Sequence, residues 1–526
     1  MGRLIYWTCI AIAFLSLFRF YTRYKEIAAP IPPGVHLAGM DLSGLKEPAE
    51  IRAHLEQIYN QPIAVMYADE RLWLDPSEVN FQLEVEQMVW EASQYLEGID
   101  FIDISLREAL GLPQRVRNVE ARFLLDQNKL YTWLQTVAQE QDRPPQQSRV
   151  TPRIDRWSHN GTEYPNLPQG YVGTYTRDWR WSPGSPGYEL DIEASMPGIV
   201  NALTQEEERM AQLVLDETSS PPPQMVDLAS ALDNYLSNFP GFAAVYVHDI
   251  LQEKTAEVDV DVSFSGMSTL KIAVVAAVME QIEGLPAGDN QAFEIGRNID
   301  YALGESNNFA ANQLLRYLGN GDIPSGARNF TSFMRTLGFA NTYMQSGYDA
   351  NAQFAQISTP GNTRDDWQTN PDSNLQTTTR EMGEILTDIY HCTEGKGRLL
   401  EVFPDTLNPE ECRYILFYLG RDEFEELLWS GLPRPGEAWI LHKHGFAFET
   451  HSDVALVWGP TGPYVISIFL YRPGWMDWPT SNTAMKDVSR ITWNFFEFRA
   501  QLLDEEPPPP MELTPPPAYV PVPTSS

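Results

Sequence analysis

Ser268-Thr269-Leu270-Lys271-Ile272-Ala273-Val274-Val275-Ala276-Ala277-Val278-Met279 is the most apolar helix-like run of the chain. Residues three apart on a helix are neighbours, so a Lys271 amine one turn beyond a serine at the helix start can reach the Ser268 hydroxyl. Ile272 to Val278 leave no polar face, which predicts a helix buried in the middle of a domain. Burial disfavours the ammonium form and lowers a lysine pKa, so that a neutral amine can take a proton near neutral pH. The pair thus has the form of a nucleophile and its base. Serine-x-x-lysine also arises by chance, as a capping serine followed by a solvated lysine. Lysine usage counts against chance: the chain has eight lysines against 29 arginines, and an apolar helix is an unusual place for one.

Outward from this stretch, 526 residues exceed one ordinary domain, and 43% hydrophobic content with 12% aromatics can fill sizeable cores. Two or three domains are expected. Thirty-seven basic against 71 acidic residues give a net charge of −34, a field that repels nucleic acid and anionic headgroups, so no nucleic-acid partner is expected. The eight histidines are scattered, and neither Cys-x-x-Cys nor His-Glu-x-x-His occurs, so no metal and no cofactor is expected. Of three cysteines, Cys9 lies in an N-terminal apolar run. Cys392 and Cys412 fit either one extracytoplasmic disulfide or two unrelated buried thiols.

Leu4 to Phe18 is an apolar run of fifteen residues, with Arg3 before it and Arg19, Arg23 and Lys25 after it. It predicts an export signal or a short membrane anchor; without a small-x-small cleavage site, an uncleaved single-pass anchor over residues 1–29 is the expectation. The charge flanks would place the bulk of the chain inside. Long domains translocate largely regardless of such flanks, and the cell-wall resemblances below place the bulk outside the cytoplasm.

After a proline-marked stalk, Ala29 to Gly34, an α+β region is expected over 30–217. Gly34 to Gly44 alternates like a strand, Pro48 to Tyr59 reads as an amphipathic helix, Ile192 to Leu203 as another, and Met210 to Leu215 as a strand. These two ends resemble the peptidoglycan-binding domain found beside vancomycin-resistance-W-type proteins and some L,D-transpeptidases, which implies contact with cell-wall polymer. The middle, Pro144 to Gly184, diverges from that pattern. A Pro-rich linker follows at 218–225, then a domain over 226–503, then a Pro-rich tail, 504–526, expected to be extended and disordered.

In the second domain Ser306-Asn307-Asn308 precedes a helix-like stretch, and Lys443-His444-Gly445 precedes strand-like Asp453 to Trp458 and Tyr464 to Leu470. With Ser268 and Lys271, in this order, they resemble the three motifs of class A β-lactamases and penicillin-binding proteins. The resemblance implies an antiparallel sheet flanked by helices, with an all-helical subdomain. It implies that Ser268 attacks a lactam or D-Ala-D-Ala type carbonyl, Lys271 takes its proton, and Ser306 passes a proton to the departing nitrogen. Asn308 would bind Lys271 and the substrate amide, Lys443 the substrate carboxylate, and the N–H groups of Ser268 and Phe446, beside Gly445, the oxyanion.

Three departures matter. Asn307 stands where the family has aspartate, and His444 where it has a hydroxyl residue. No glutamate occurs between Ser306 and Arg380, where class A enzymes carry the one that activates the deacylating water. Asp349, in the rewritten loop Gln345-Ser346-Gly347-Tyr348-Asp349, is the candidate substitute, although a shorter carboxylate there is poorly suited to act as base. The expectation is a serine hydrolase that is acylated by β-lactams or peptidoglycan stem peptides and deacylated slowly. The alternative is a catalytically weak wall-binding protein that retains the fold.

Overall fold

A computed structural model describes residues 2–27, 31–43, 45, 47–95, 100–154, 158–159, 162–163, 177–282, 290–422, 424–433, 438–504 and 507–516. Residues 29–30 of the expected stalk, residue 44 and, in the expected tail, 505–506 and 517–526 lie outside these. The chain divides into two compact units, Met1–Gln146 with Ser185–Ser220, and Gln147–Gly184 with Pro221–Ser526.

The first unit is α+β. Helix Pro48–Tyr59 starts on a proline, whose missing N–H costs nothing in a first turn, and buries Ile51, Leu55 and Tyr59 along one face. That face meets strand Ile63–Tyr67, which alternates buried and half-buried residues and pairs with Glu70–Leu74 and Met210–Gln212. Helix Ile192–Thr204 is capped by Asp191. The strand expected over Met210 to Leu215 is two strands, Met210–Gln212 and Leu215–Thr218, in different sheets. Between them the Ser195 hydroxyl accepts the Val214 N–H at 2.9 Å, taking a donor away from the ladder.

The membrane segment expected over 1–29 is not found: among the described residues no helix is long and apolar enough to cross a membrane. Helix Gly2–Ile27 holds only the fifteen-residue apolar run, about 22 Å of helix against about 30 Å of hydrocarbon, and continues through Arg19, Arg23 and Lys25.

In the second unit β1 (Phe242–Asp249), β2 (Lys254–Val258), β3 (Trp439–Phe446), β4 (Thr450–Gly459) and β5 (Gly462–Tyr471) form one antiparallel sheet in the order β2-β1-β5-β4-β3. Both faces are covered, so β1, β4 and β5 are buried along their whole length. Val245, Val247, Ile466 and Ile468 pack in one core with α1 (Met225–Leu236) and the final helix, Trp478–Leu503. Ala244, Leu456 and Phe469 pack in the other with α2 (Leu270–Gln281), α3 (Asn308–Leu318), α4 (Thr379–Thr393) and α5 (Pro409–Leu419). Every residue of α2 from Leu270 to Met279 is buried. Its β-branched residues lower intrinsic helix propensity, so tertiary burial, about 1.5–3 kcal/mol for each large apolar side chain, is what holds it. Cys392 in α4 and Cys412 in α5 are bonded, with Cα atoms 5.9 Å apart.

Two differences from the sequence expectations stand out. Residues 147–184, read as part of the first region, belong to the second unit. There Arg149–Ile154 pairs with Arg177–Ser182, and the alternation Trp179-Arg180-Trp181 sends both indoles into the core beside α1 and the final helix. Trp181 Nε1 donates to the Ile491 carbonyl at 3.3 Å. The tail, expected to be disordered, carries no helix or strand over 507–516, yet its alternating Met511 and Leu513 pack against the core of this unit.

Candidate active site

A single 3-10 turn, Met267–Thr269, leads into α2 and presents Ser268. Met267 has φ +49°, a left-handed conformation that is a genuine outlier for a long side chain. Ser306 (φ +56°) and Asp349 (φ +58°) share it. Met267, Ser268 and Asp349 line one cleft of about 590 Å³, and Ser306 contacts Lys271.

Lys271 is fully buried, and its Nζ lies 2.9 Å from Ser268 Oγ, 2.6 Å from the Ser306 carbonyl, 2.8 Å from Asn308 Oδ1 and 3.4 Å from Ser306 Oγ. All these partners are uncharged. Burial pulls the Lys271 pKa down to about 7, the Lys443 charge adds to this, and Asp349 and Asp422 oppose it. A neutral amine is therefore well populated at physiological pH. The Tyr348 ring lies 4.7 Å from Nζ, a contact that favours the ammonium and keeps the site near balance.

Ser306 and Asn308 sit at the start of α3, with Asn307 capping it by accepting the Ala310 N–H at 3.0 Å. The helix start thus absorbs Asn307, the position where the resemblance implies an aspartate. Asn308 Nδ2 donates to both Asp349 oxygens, at 3.1 and 3.0 Å. The amide expected to meet substrate is thus held by the loop. One helical turn on, Asn312 clamps that loop: its Oδ1 accepts the Tyr348 N–H at 2.8 Å and its Nδ2 donates to the Tyr348 carbonyl at 3.0 Å. Asn374 does the same from the other side, accepting from Ser346 N and donating to the Gly347 carbonyl.

Lys443 and His444 are placed differently from what the resemblance implies. Lys443 is fully buried and donates to Asp422 at 3.0 Å; His444 Nδ1 lies 3.0 Å from the same carboxylate oxygen. Burial pushes the Asp422 carboxyl up, but the contact with His444 and the charges of Lys443 and His442 outweigh it and hold Asp422 well below the usual carboxylate range. The charge expected to meet a substrate carboxylate is compensated inside the protein. Gly445, next along β3, explains itself sterically: a Cβ there would lie 3.0 Å from Met267 Cβ and 3.2 Å from Ser268 N. With Ser452 Oγ at 2.9 Å as well, a side chain here would have to push its neighbours aside, so glycine suits the close approach of the edge strand to the nucleophile's amide. Phe446 is exposed and lines the cleft.

Residues 285–496 match the beta-lactamase enzyme family. The stretch contains Ser306, Asn308, Asp349 and Lys443 and begins after Ser268 and Lys271. Similar solved structures include the last common ancestor of Gram-negative bacteria beta-lactamase class A (22% identity, 50% of this chain and 97% of that one, TM-score 0.39). They also include beta-lactamases from Desulfarculus baarsii (19%, 52% and 98%, 0.40) and Streptosporangium roseum (21%, 53% and 98%, 0.39). No curated protein matches the chain. The family match, with the geometry above, supports a serine β-lactamase-fold domain in the C-terminal part.

Asp422, Asn312 and Asp372 were not singled out in the sequence, and Tyr348 entered only as part of the loop that carries Asp349. Asp372 lines the cleft, and its Oδ1 accepts the Asn374 N–H at 2.8 Å. Only Asn312 had a usable cue, its place one turn after Asn308. Among the described residues no group of His, Cys, Asp or Glu could hold a metal ion.

Proposed function

We propose that the second unit is a serine acyl-transfer hydrolase that opens a β-lactam ring or a D-Ala-D-Ala type amide through an acyl-enzyme on Ser268, and that it deacylates slowly. The observation that carries this is the Lys271 amine, 2.9 Å from the Ser268 hydroxyl with its pKa pulled to about 7 by burial. Neutral Lys271 takes the Oγ proton as Oγ bonds to the carbonyl carbon. The tetrahedral oxyanion forms beside the Ser268 N–H, where Gly445 clears the space. As the C–N bond breaks, Ser306 Oγ, 3.4 Å from Nζ, hands a proton to the nitrogen and is resupplied from Lys271. An ester on Ser268 remains.

Hydrolysis of that ester needs a base for water. The two carboxylates on the cleft, Asp349 and Asp372, are short and already bonded to Asn308 and Asn374 N, and no glutamate occurs between Ser306 and Arg380. Slow deacylation follows. The Cys392–Cys412 bond favours an oxidising, extracytoplasmic setting, where peptidoglycan stem peptides are the natural acyl donors and the first unit would bind wall polymer.

The test pairs fluorescent penicillin with a chromogenic cephalosporin. The parent chain should take up one covalent label that persists, with turnover slower than labelling, and Ser268→Ala should take up none. Rapid multiple turnover would overturn slow deacylation, and a parent chain that takes no label would overturn the acyl-enzyme as well.

A further inference from the structure

Asp349 touches neither Ser268 nor Lys271 through a hydrogen bond, yet it constrains both. A neutral amine has two N–H groups and one lone pair. Around Lys271 Nζ, the Ser306 carbonyl at 2.6 Å and Asn308 Oδ1 at 2.8 Å can only accept, so they claim the two N–H groups. The lone pair is left for the two hydroxyls, Ser268 Oγ at 2.9 Å and, farther off, Ser306 Oγ at 3.4 Å, and the nearer one is the direction a base needs. This holds only while Asn308 shows its oxygen, not its NH₂, to the lysine. An amide turned over would donate to Nζ, occupy the lone pair and leave an N–H facing the serine.

What decides the amide's sense is its other neighbour. Asp349 is a carboxylate, accepts only, and takes Nδ2 on both oxygens. We infer that Asp349 is a positioning residue for acylation: by fixing the sense of the Asn308 amide it fixes the direction of the Lys271 lone pair. The loop is built for this. Asp349 is held at φ +58°, which aspartate and asparagine tolerate better than most residues, by the Asn312 and Asn374 clamps on Tyr348 and Gly347. The inference rests on Ser268 being acylated, and it gives Asp349 a task in acylation rather than in ester hydrolysis.

The experiment measures the fluorescent-penicillin acylation rate against pH for the full chain, Asp349→Asn and the double variant Asn308→Asp/Asp349→Asn. Asp349 is exposed and asparagine suits its backbone, so the fold is not at risk. Charged groups act on Lys271 from three elements: Asp349 from its loop, Lys443 from β3 and Asp422 from beyond α5. Asp349→Asn frees the amide to turn, so the plateau rate should fall roughly ten- to hundredfold, a part of the ~10²–10⁴ that a positioned base supplies. Losing an anion that favours the ammonium should also move the acid limb to lower pH. The double variant puts an acceptor-only group back against Nζ, with a donor behind it. Its plateau should rise above that of Asp349→Asn yet stay below the parent's, since the Asn308 amide is lost, with the limb moved to higher pH by the carboxylate beside the amine. A parental plateau and limb in Asp349→Asn, or a defect confined to ester hydrolysis, would overturn the proposal. So would a double variant no faster than the single. A parent chain that takes no label would instead remove the acyl-enzyme itself, and this proposal with it.

Discussion

The molecule holds two fully buried lysines in one domain, and they are wired in opposite ways. Lys271 meets a hydroxyl, a carbonyl and an amide oxygen, all uncharged; Lys443 meets the carboxylate of Asp422 at 3.0 Å. Burial acts on both. It lowers both pKa values; at Lys271 no described carboxylate lies within bonding distance and the amine is left useful as a base, while Lys443 is tied to a counter-charge that opposes the shift. The nature of the acceptor, more than depth, decides what a buried lysine does.

Replacing each lysine with methionine separates the two roles. Lys271→Met should cut acylation by about 10²–10⁴ while costing less than about 2 kcal/mol in stability, since it strands acceptors but no charge. Lys443→Met leaves the buried Asp422 carboxylate only its His444 contact and should cost more, up to about 3–5 kcal/mol in a urea melt. Equal destabilisation by the two would break the comparison. The contrast sharpens with pH. The Lys271 pKa of about 7 in the folded chain lies below its ordinary 10.5, so between these values the unfolded chain carries a proton that the folded chain lacks. The stability of the parent relative to Lys271→Met should therefore be lowest below pH 7 and rise toward pH 10.5; a flat difference would deny the shift. The smallest effect on the pH profile is expected at a distance, in a variant that also destabilises the fold by leaving buried Lys443 without its carboxylate. Asp422→Asn removes one of the anions that favour ammonium at Lys271, and should move the acid limb of acylation to lower pH by roughly a few tenths of a unit.

The sequence disclosed the groups that follow from local pattern and concealed those set by distant packing. Ser268 and Lys271 were legible because a lone lysine in an apolar helix violates the pattern around it. Helix Pro48–Tyr59 was legible to the residue, through its proline start and its 3.6-residue period. Asp422 was not: no local pattern marks it, and only the approach of β3, some twenty residues later, turns it into a counter-charge. The terminal run offered only fifteen apolar residues, and among the described residues no helix is long and apolar enough to cross a membrane. The Trp179-Arg180-Trp181 strand misled because its partners lie near residue 491, beyond any local signal.

That hairpin also sets an order of events during synthesis. Trp181 leaves the ribosome 310 residues before the carbonyl it bonds, at Ile491. At about 5–20 residues per second, this is a wait of roughly 15 to 60 seconds with two indoles lacking their final cover. A chain started at the Pro-rich linker would never make the hairpin and would present the empty face of its last helix instead. For expression and for truncation alike, the second unit begins at residue 147: Gln147–Gly184, parted from the rest by Ser185–Ser220 of the first unit, completes it in space.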